Sequence, residues 1–326
     1  MRPIRRILVA VKDPRARSLP AVKKAAQLAH ATGAALELFH SIADAVYIDA
    51  LGMAKQSVAE FESRSRRHYL QRLESIAAPL RRQGLKVHST AEWDYPIYEA
   101  IVRHAAATRA DLIVAERHAT RHVAPWLLRF TDWELLRLST VPVLLVKSPR
   151  AYRRPVVLAA VDPSHAFAKP SRLDDEILRQ ALSLTEALRG TLHAVHAYVP
   201  MPVDMVAVEY SRPDITERIE ALARAGARAG FDRVLRGTKI ARARRHLVGR
   251  HPINAIVEVA REVRGAIVVM GAISRSGMKR VFIGNTAERI LDQLTCDVLI
   301  VKPPRFASHV ARAKRGARLI ALPQLP

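Results

Sequence analysis

After Met270 the chain runs Gly271-Ala-Ile-Ser274-Arg275-Ser-Gly277-Met-Lys279-Arg280-Val-Phe-Ile-Gly284-Asn285-Thr286-Ala-Glu288 and then becomes helical in period. Glycine tolerates positive φ and close backbone approach, so successive N–H groups in such a loop can cup a phosphate. Asn285 and Thr286 stand at the start of the next helix, whose unsatisfied N–H groups and dipole favour an anion. Arg275, Lys279 and Arg280 add positive charge. The same residues also suit a strand exit, a polar loop and an Asn/Thr helix cap with no ligand, so spacing leaves both readings open.

An earlier stretch, Ala115-Glu116-Arg-His118-Ala-Thr-Arg-His122-Val-Ala-Pro125, continuing to Phe130-Thr-Asp-Trp-Glu134, occupies the matching place in a first copy of the pattern. It has no glycine, and Glu116 puts a negative charge where Gly271 stands, so this loop is expected to repel phosphate. The usual P-loop and Gly-x-Gly-x-x-Gly fingerprints are absent. His118 and His122 have helix-face spacing for a metal pair but lack a third ligand, so solvated histidines are expected. His193 and His196 do not share a strand face. Cys296 precedes an apolar strand and reads as a packed residue. Asp162 suits either a turn before Pro163 or a hydrogen-bond acceptor for a ribose.

The elements that must position these residues repeat. Ile7-Leu-Val-Ala-Val-Lys-Asp-Pro14 recurs as Val156-Val-Leu-Ala-Ala-Val-Asp-Pro163, an offset of 149. Asp111-Leu-Ile-Val-Ala115 recurs as Ala266-Ile-Val-Val-Met270, and Val141-Pro-Val-Leu-Leu-Val-Lys147 as Cys296-Asp-Val-Leu-Ile-Val-Lys302, both at 155. Continuous β-branched runs suit parallel strands covered on both faces. They are expected at 7–11, 35–41, 86–90, 112–115 and 143–146, and again at 156–161, 191–198, 245–248, 266–270 and 298–301. Helical periods fall between them, at 20–31, 61–82, 174–188 and 253–263. Strands alternating with helices predict two tandem α/β domains, each a doubly wound five-stranded parallel sheet. The expected division is 1–148, a linker at 149–155, 156–304, and a basic C-terminal tail at 305–326. In such sheets ligands gather at the carboxyl ends of the strands, where strand order reverses.

The bulk composition fits a globular protein: 326 residues, 49% hydrophobic and 25% charged. No apolar run approaches the roughly 20 residues of a membrane span, and the start at Met1 reads as a first strand rather than an export signal. One cysteine excludes an internal disulfide and fits a cytoplasmic location. The net charge of +23 is spread over both halves. It would suit a diffuse field for nucleic acid, although no basic patch interleaved with aromatics supports one.

These residues resemble the universal stress protein (UspA domain) family, whose nucleotide-binding members carry Gly-x2-Gly-x9-Gly-(Ser/Thr) after the fourth strand. Gly271, Ser274, Gly284 and Asn285 occupy that register, with Ser274 in place of the second Gly and Asn285 in place of Ser/Thr. Gly284-Asn-Thr-Ala-Glu288, Thr131-Asp-Trp-Glu-Leu-Leu136 and the duplication resemble the tandem, UspE-type branch. The resemblance implies a Rossmann-like, adenine nucleotide alpha hydrolase-like sheet of order 3-2-1-4-5, and ATP or another adenine nucleotide as cofactor, with no metal beyond its magnesium. It implies that Ala160 and Asp162 face adenine and ribose, and that Ala197 flanks the base. Met270 and Gly271 would support the ribose-phosphate, with Ser274, Gly284, Asn285 and Thr286 around the phosphates. It also implies pairing of last strands, in cis between 143–146 and 298–301 as a pseudo-dimer, or between chains as a homodimer. Three functional readings follow: a stress-response regulatory module binding nucleotide in the second domain; a weak ATPase or nucleotidyl-transfer enzyme; and a scaffold for RNA, another anion or an apolar ligand.

Overall fold

The computed structural model describes residues 4–48, 55–117, 125–163, 172–199, 213–272, 285–304 and 306–321. The chain divides into two compact units, Arg2–Ala151 with Ala307–Pro326, and Tyr152–Phe306 with Met1.

In the first unit β1 (Arg6–Ala10) lies between β2 (Ala35–Ile42) and β5 (Leu112–Glu116). β4 (Val87–Trp93) flanks β2 and β6 (Val143–Val146) flanks β5, all parallel. Leaving aside a short β3 (Ala45–Ile48), this is the expected order 3-2-1-4-5. Ile7, Leu8 and Val9 are fully buried because helices cover both sheet faces. Those helices are α1 (Pro20–Thr32), α2 (Lys55–Arg82), α3 (Ile97–Thr108) and α4 (Pro125–Leu138). Pro20 opens α1 and Gly33, at φ 73°, closes it. The C-terminal segment adds β12 (Arg318–Ala321), which pairs in parallel with β3.

The second unit repeats the plan. β7 (Val156–Ala160) lies between β8 (Thr191–Tyr198) and β10 (Ile267–Gly271). β9 (Arg245–Gly249) flanks β8 and β11 (Asp297–Val301) flanks β10, again parallel. Its helices are α5 (Leu173–Ala187), α6 (Pro213–Val234), α7 (Pro252–Glu262) and α8 (Asn285–Gln293). Tyr152, from the expected linker, is buried here and donates its hydroxyl to Asp297 Oδ2 at 2.5 Å. Burial, then the Asp297 charge, pushes this phenol well above its ordinary range.

Register corrects one alignment. Ile7 pairs with Leu112 as Val157 pairs with Ile267, so the first strands correspond at an offset of 150, not 149. The second copy is one residue shorter between the strand end and its Asp-Pro turn. His40 of β2 and His196 of β8 then occupy the same position.

Candidate functional site

The carboxyl ends of β7, β8 and β10 meet where the strand order of the second unit reverses, because β7 has β8 on one side and β10 on the other. Ala160 ends β7 and Gly271 ends β10, while Ala197 sits one residue before the end of β8. Met270 is buried. His196 and Ala197 both lie within β8, inside the strand expected at 191–198, with Ala197 paired to Val248. Strand β8 is long enough to carry them because Val195 to Tyr198 keep pairing with β9.

Asp162 follows the end of β7 by two residues, and its backbone N–H donates to Asp174 Oδ1 at 3.0 Å. Asp174 belongs to the acidic first turn of α5, with Asp175 and Glu176. Those carboxylates complement the positive end of α5 themselves. Leu173, in the same turn, closes over Gly271: a Cβ at 271 would lie 2.6 Å from Leu173 Cδ2. Any side chain at 271 would therefore have to displace Leu173, so packing favours glycine there whatever else approaches it. Asn285 and Thr286 are the first residues of α8, so their backbone supplies a helix N-terminus. Ser274, Gly284, Arg275, Gly277, Lys279 and Arg280 lie outside the described residues, as do His118 and His122.

In the first unit the position equivalent to Gly271 is Glu116, last residue of β5, half-buried and in register with Val146. At the neighbouring strand ends, His40 Nδ1 sits 2.8 Å from the Val11 carbonyl. A carbonyl only accepts, so Nδ1 carries the proton. Tyr69 packs on this imidazole with centroids 4.5 Å apart, and Arg15 lies over the Tyr69 ring at 5.7 Å. Burial pushes the His40 pKa down, opposed by the Val11 bond. His196 repeats the arrangement, with Nδ1 3.3 Å from the Val161 carbonyl and Phe231 in place of Tyr69. This duplicated histidine is the feature that sequence comparison missed. His193 instead meets His246 across β8 and β9, Nδ1 to Nε2 at 3.0 Å. Cys296 is half-buried before β11. Among the described residues no group of three or more His, Cys, Asp or Glu is placed to hold a metal ion.

A second asymmetry lies at the outer strand ends. Ile42 pairs with Trp93 as Tyr198 pairs with Gly249. Trp93 fills its position, donating Nε1–H to the Glu62 carbonyl at 3.0 Å and packing on Phe61. At Gly249 the Tyr198 side chain lies against the backbone instead, and a groove of about 490 Å3 beside α6 is lined by Gly249, Tyr198, Arg224, Arg228 and Leu247 among others. Arg224 donates to the Tyr198 hydroxyl at 3.2 Å.

Among the described residues no helix is long and apolar enough to cross a membrane. The universal stress protein family matches residues 3–147 and again 155–302. Over 316 residues the chain is 25% identical to Universal stress protein E of Salmonella typhi, covering 93% of this chain and 96% of that protein. A crystal structure of a functionally unknown protein from Pseudomonas aeruginosa PAO1 superposes with a TM-score of 0.68 at 25% identity, covering 92% of this chain and 93% of that one. A universal stress protein from Archaeoglobus fulgidus shares the fold, with a TM-score of 0.57 at 16% identity, covering 92% of this chain and 97% of that one.

Proposed function

The chain belongs to the universal stress protein family in its tandem two-domain form, and from that premise we propose a cytoplasmic stress-response module that holds an adenine nucleotide in its second domain. One observation carries the reading. The strand leaving the switch point ends in Gly271 in the second domain and in Glu116 in the first. Only the glycine end leads through a glycine-containing basic loop to a helix start at Asn285. A carboxylate at that place opposes a polyphosphate, whereas backbone N–H groups attract it.

In this reading Ala160 and Ala197 flank the base and Asp162 accepts from the ribose. Met270 and Gly271 support the sugar-phosphate, and Ser274, Gly284, Asn285 and Thr286 surround the phosphates. Asn285 donates through its amide where the family pattern has a hydroxyl. Binding without turnover needs no general base, and the module acts through its bound state.

Mass spectrometry of small molecules released from the native protein tests this, together with melting in added ATP. A ligand at one hundred times its Kd stabilises the native state by about 2.7 kcal/mol. Wild type is expected to show an ATP-dependent rise in Tm that Gly284→Val abolishes. No released nucleotide and no ATP-dependent shift in wild type would overturn the reading. Phosphate release lost in the same variant would point instead to an ATPase.

A further inference from the structure

The segment after Phe306 folds with the first unit, against a corner unlike the rest of this basic chain. Glu92 and Asp94 lie at the end of β4, with Tyr95 following, and Glu99 lies in the first turn of α3. Arg103 grips Asp94 with Nε and a terminal nitrogen, both at 2.8 Å, and Glu99 at 2.9 Å. Two carboxylates face the Arg103 guanidinium and a third, Glu92, lies 3.9 Å from His104 Nδ1, so carboxylates outnumber cations at this corner in a protein of net charge +23. Lys314 and Arg315 restore the balance. Lys314 Nζ lies 2.8 Å from Glu92, and the Arg315 guanidinium donates to Glu99 at 2.9 Å.

Backbone groups add registration. The Arg315 N–H donates to Asp94 Oδ1 at 2.9 Å, and Arg103 reaches the Ala311 carbonyl at 3.3 Å. Gly316, at φ 73°, turns the chain. Arg318 then lies over the Tyr95 ring at 5.2 Å. From there β12 pairs with β3, Arg318 opposite Ala45 through Ala321 opposite Ile48. Among the described residues β12 is the sheet partner of β3, so release of the segment leaves β3 without a described strand partner, beside an acidic corner. Unpaired strand edges take up extended peptides by β-augmentation. The Lys314 and Arg315 side chains are 58% and 56% exposed, so their ion pairs are screened and readily exchanged.

We propose that the β4–α3 corner and β3 form a receptor for an extended basic peptide of the pattern Lys-Arg-Gly-x-Arg, with residues 307–321 as its resident occupant and a basic segment of a partner protein as the ligand that displaces it. The carboxylates read the two leading cations, Tyr95 reads the third, and β3 reads only extended backbone. A partner with this chemistry competes with the tail directly, which couples its binding to release of the C-terminus.

The test uses the full chain carrying Lys314→Glu, Arg315→Glu and Arg318→Glu, with a fluorescein-labelled synthetic peptide of residues 307–321 as probe. Anisotropy is expected to show binding to this variant at least about tenfold tighter than to wild type, weakening as salt rises. Adding Glu92→Lys should remove most of that gain. Amide exchange at residues 45–48 should quicken in the triple variant and slow again with peptide, while residues 7–9 stay protected and report intact folding. Equal peptide affinity for wild type and variant, or a folded variant that leaves 45–48 protected and binds no peptide, overturns the proposal.

Discussion

Leu173 occupies the space that a side chain at Gly271 would need, its Cδ2 lying 2.6 Å from where a Cβ would stand. Leu173 is 1% exposed, so it has nowhere to retreat. Gly271→Ala is therefore expected to destabilise the second domain by about 1–3 kcal/mol through overpacking. Adding Leu173→Ala makes room for the new methyl, so the double variant should be more stable than the sum of the two single changes implies. Urea unfolding of the four proteins in the cycle measures this. Strict additivity would mean that the two residues do not share that space. If nucleotide affinity falls in Gly271→Ala and stays low in the double variant, the glycine serves the ligand as well as the packing.

Two other glycines separate backbone from side-chain crowding. At Gly190 a Cβ would come 2.2 Å from the Pro155 carbonyl oxygen, which already accepts from Thr191 N–H at 2.9 Å. That oxygen is fixed by the start of the β7–β8 ladder and cannot yield without breaking it. At Gly249 the obstacle is the Tyr198 hydroxyl at 2.9 Å, the far end of a flexible side chain. Gly190→Ala should cost about 3 kcal/mol, and Gly249→Ala less than about 1 kcal/mol. Denaturation midpoints of the two variants decide it, and equal losses would refute the distinction.

What the sequence disclosed and what it hid divide along a physical line. The runs Ile7–Val9 and Val157–Ala159 are apolar on both faces, a signal that survives without knowledge of neighbours, and the covered parallel strands followed from it, whereas their order 3-2-1-4-5 came from the family resemblance. The glycine-containing basic loop after β10 was legible by composition as a candidate only, and its central residues lie outside the described ones. Features that exist only through register were hidden. His40 and His196 correspond only once the missing residue after β7 is placed, and a histidine carries no strand signal of its own. Trp93 and Gly249 differ so much in type that only pairing with Ile42 and Tyr198 reveals their equivalence. Strands β3 and β12 are four residues each, too short for periodicity, and each depends on the other for its hydrogen bonds. The tail reads only as a basic segment for the same reason. Its partners, Glu92, Asp94 and Glu99, are more than two hundred residues away in the chain.

The pair His193 and His246 sets a pH dependence whose sign can be worked out. Nδ1 of one lies 3.0 Å from Nε2 of the other, so the bond needs one protonated and one bare nitrogen. Burial holds the His193 pKa below 6.5, with the His246 and Arg244 charges adding to it, and burial does the same for His246 against the pull of Glu262. Folded pKa values below the unfolded one mean that the unfolded chain takes up protons first as pH falls. The stability that the neutral pair confers is therefore fully present above about pH 6.5 and is lost as pH falls from there toward the folded values. A second proton would also put two imidazolium rings in contact, which the nearby Arg244 aggravates. The urea midpoint of wild type should fall between pH 7.5 and pH 5, and His193→Gln with His246→Gln should flatten that fall. The comparison of slopes, not the wild-type slope alone, carries the test. Parallel curves for wild type and the double variant would show that this contact does not govern acid sensitivity.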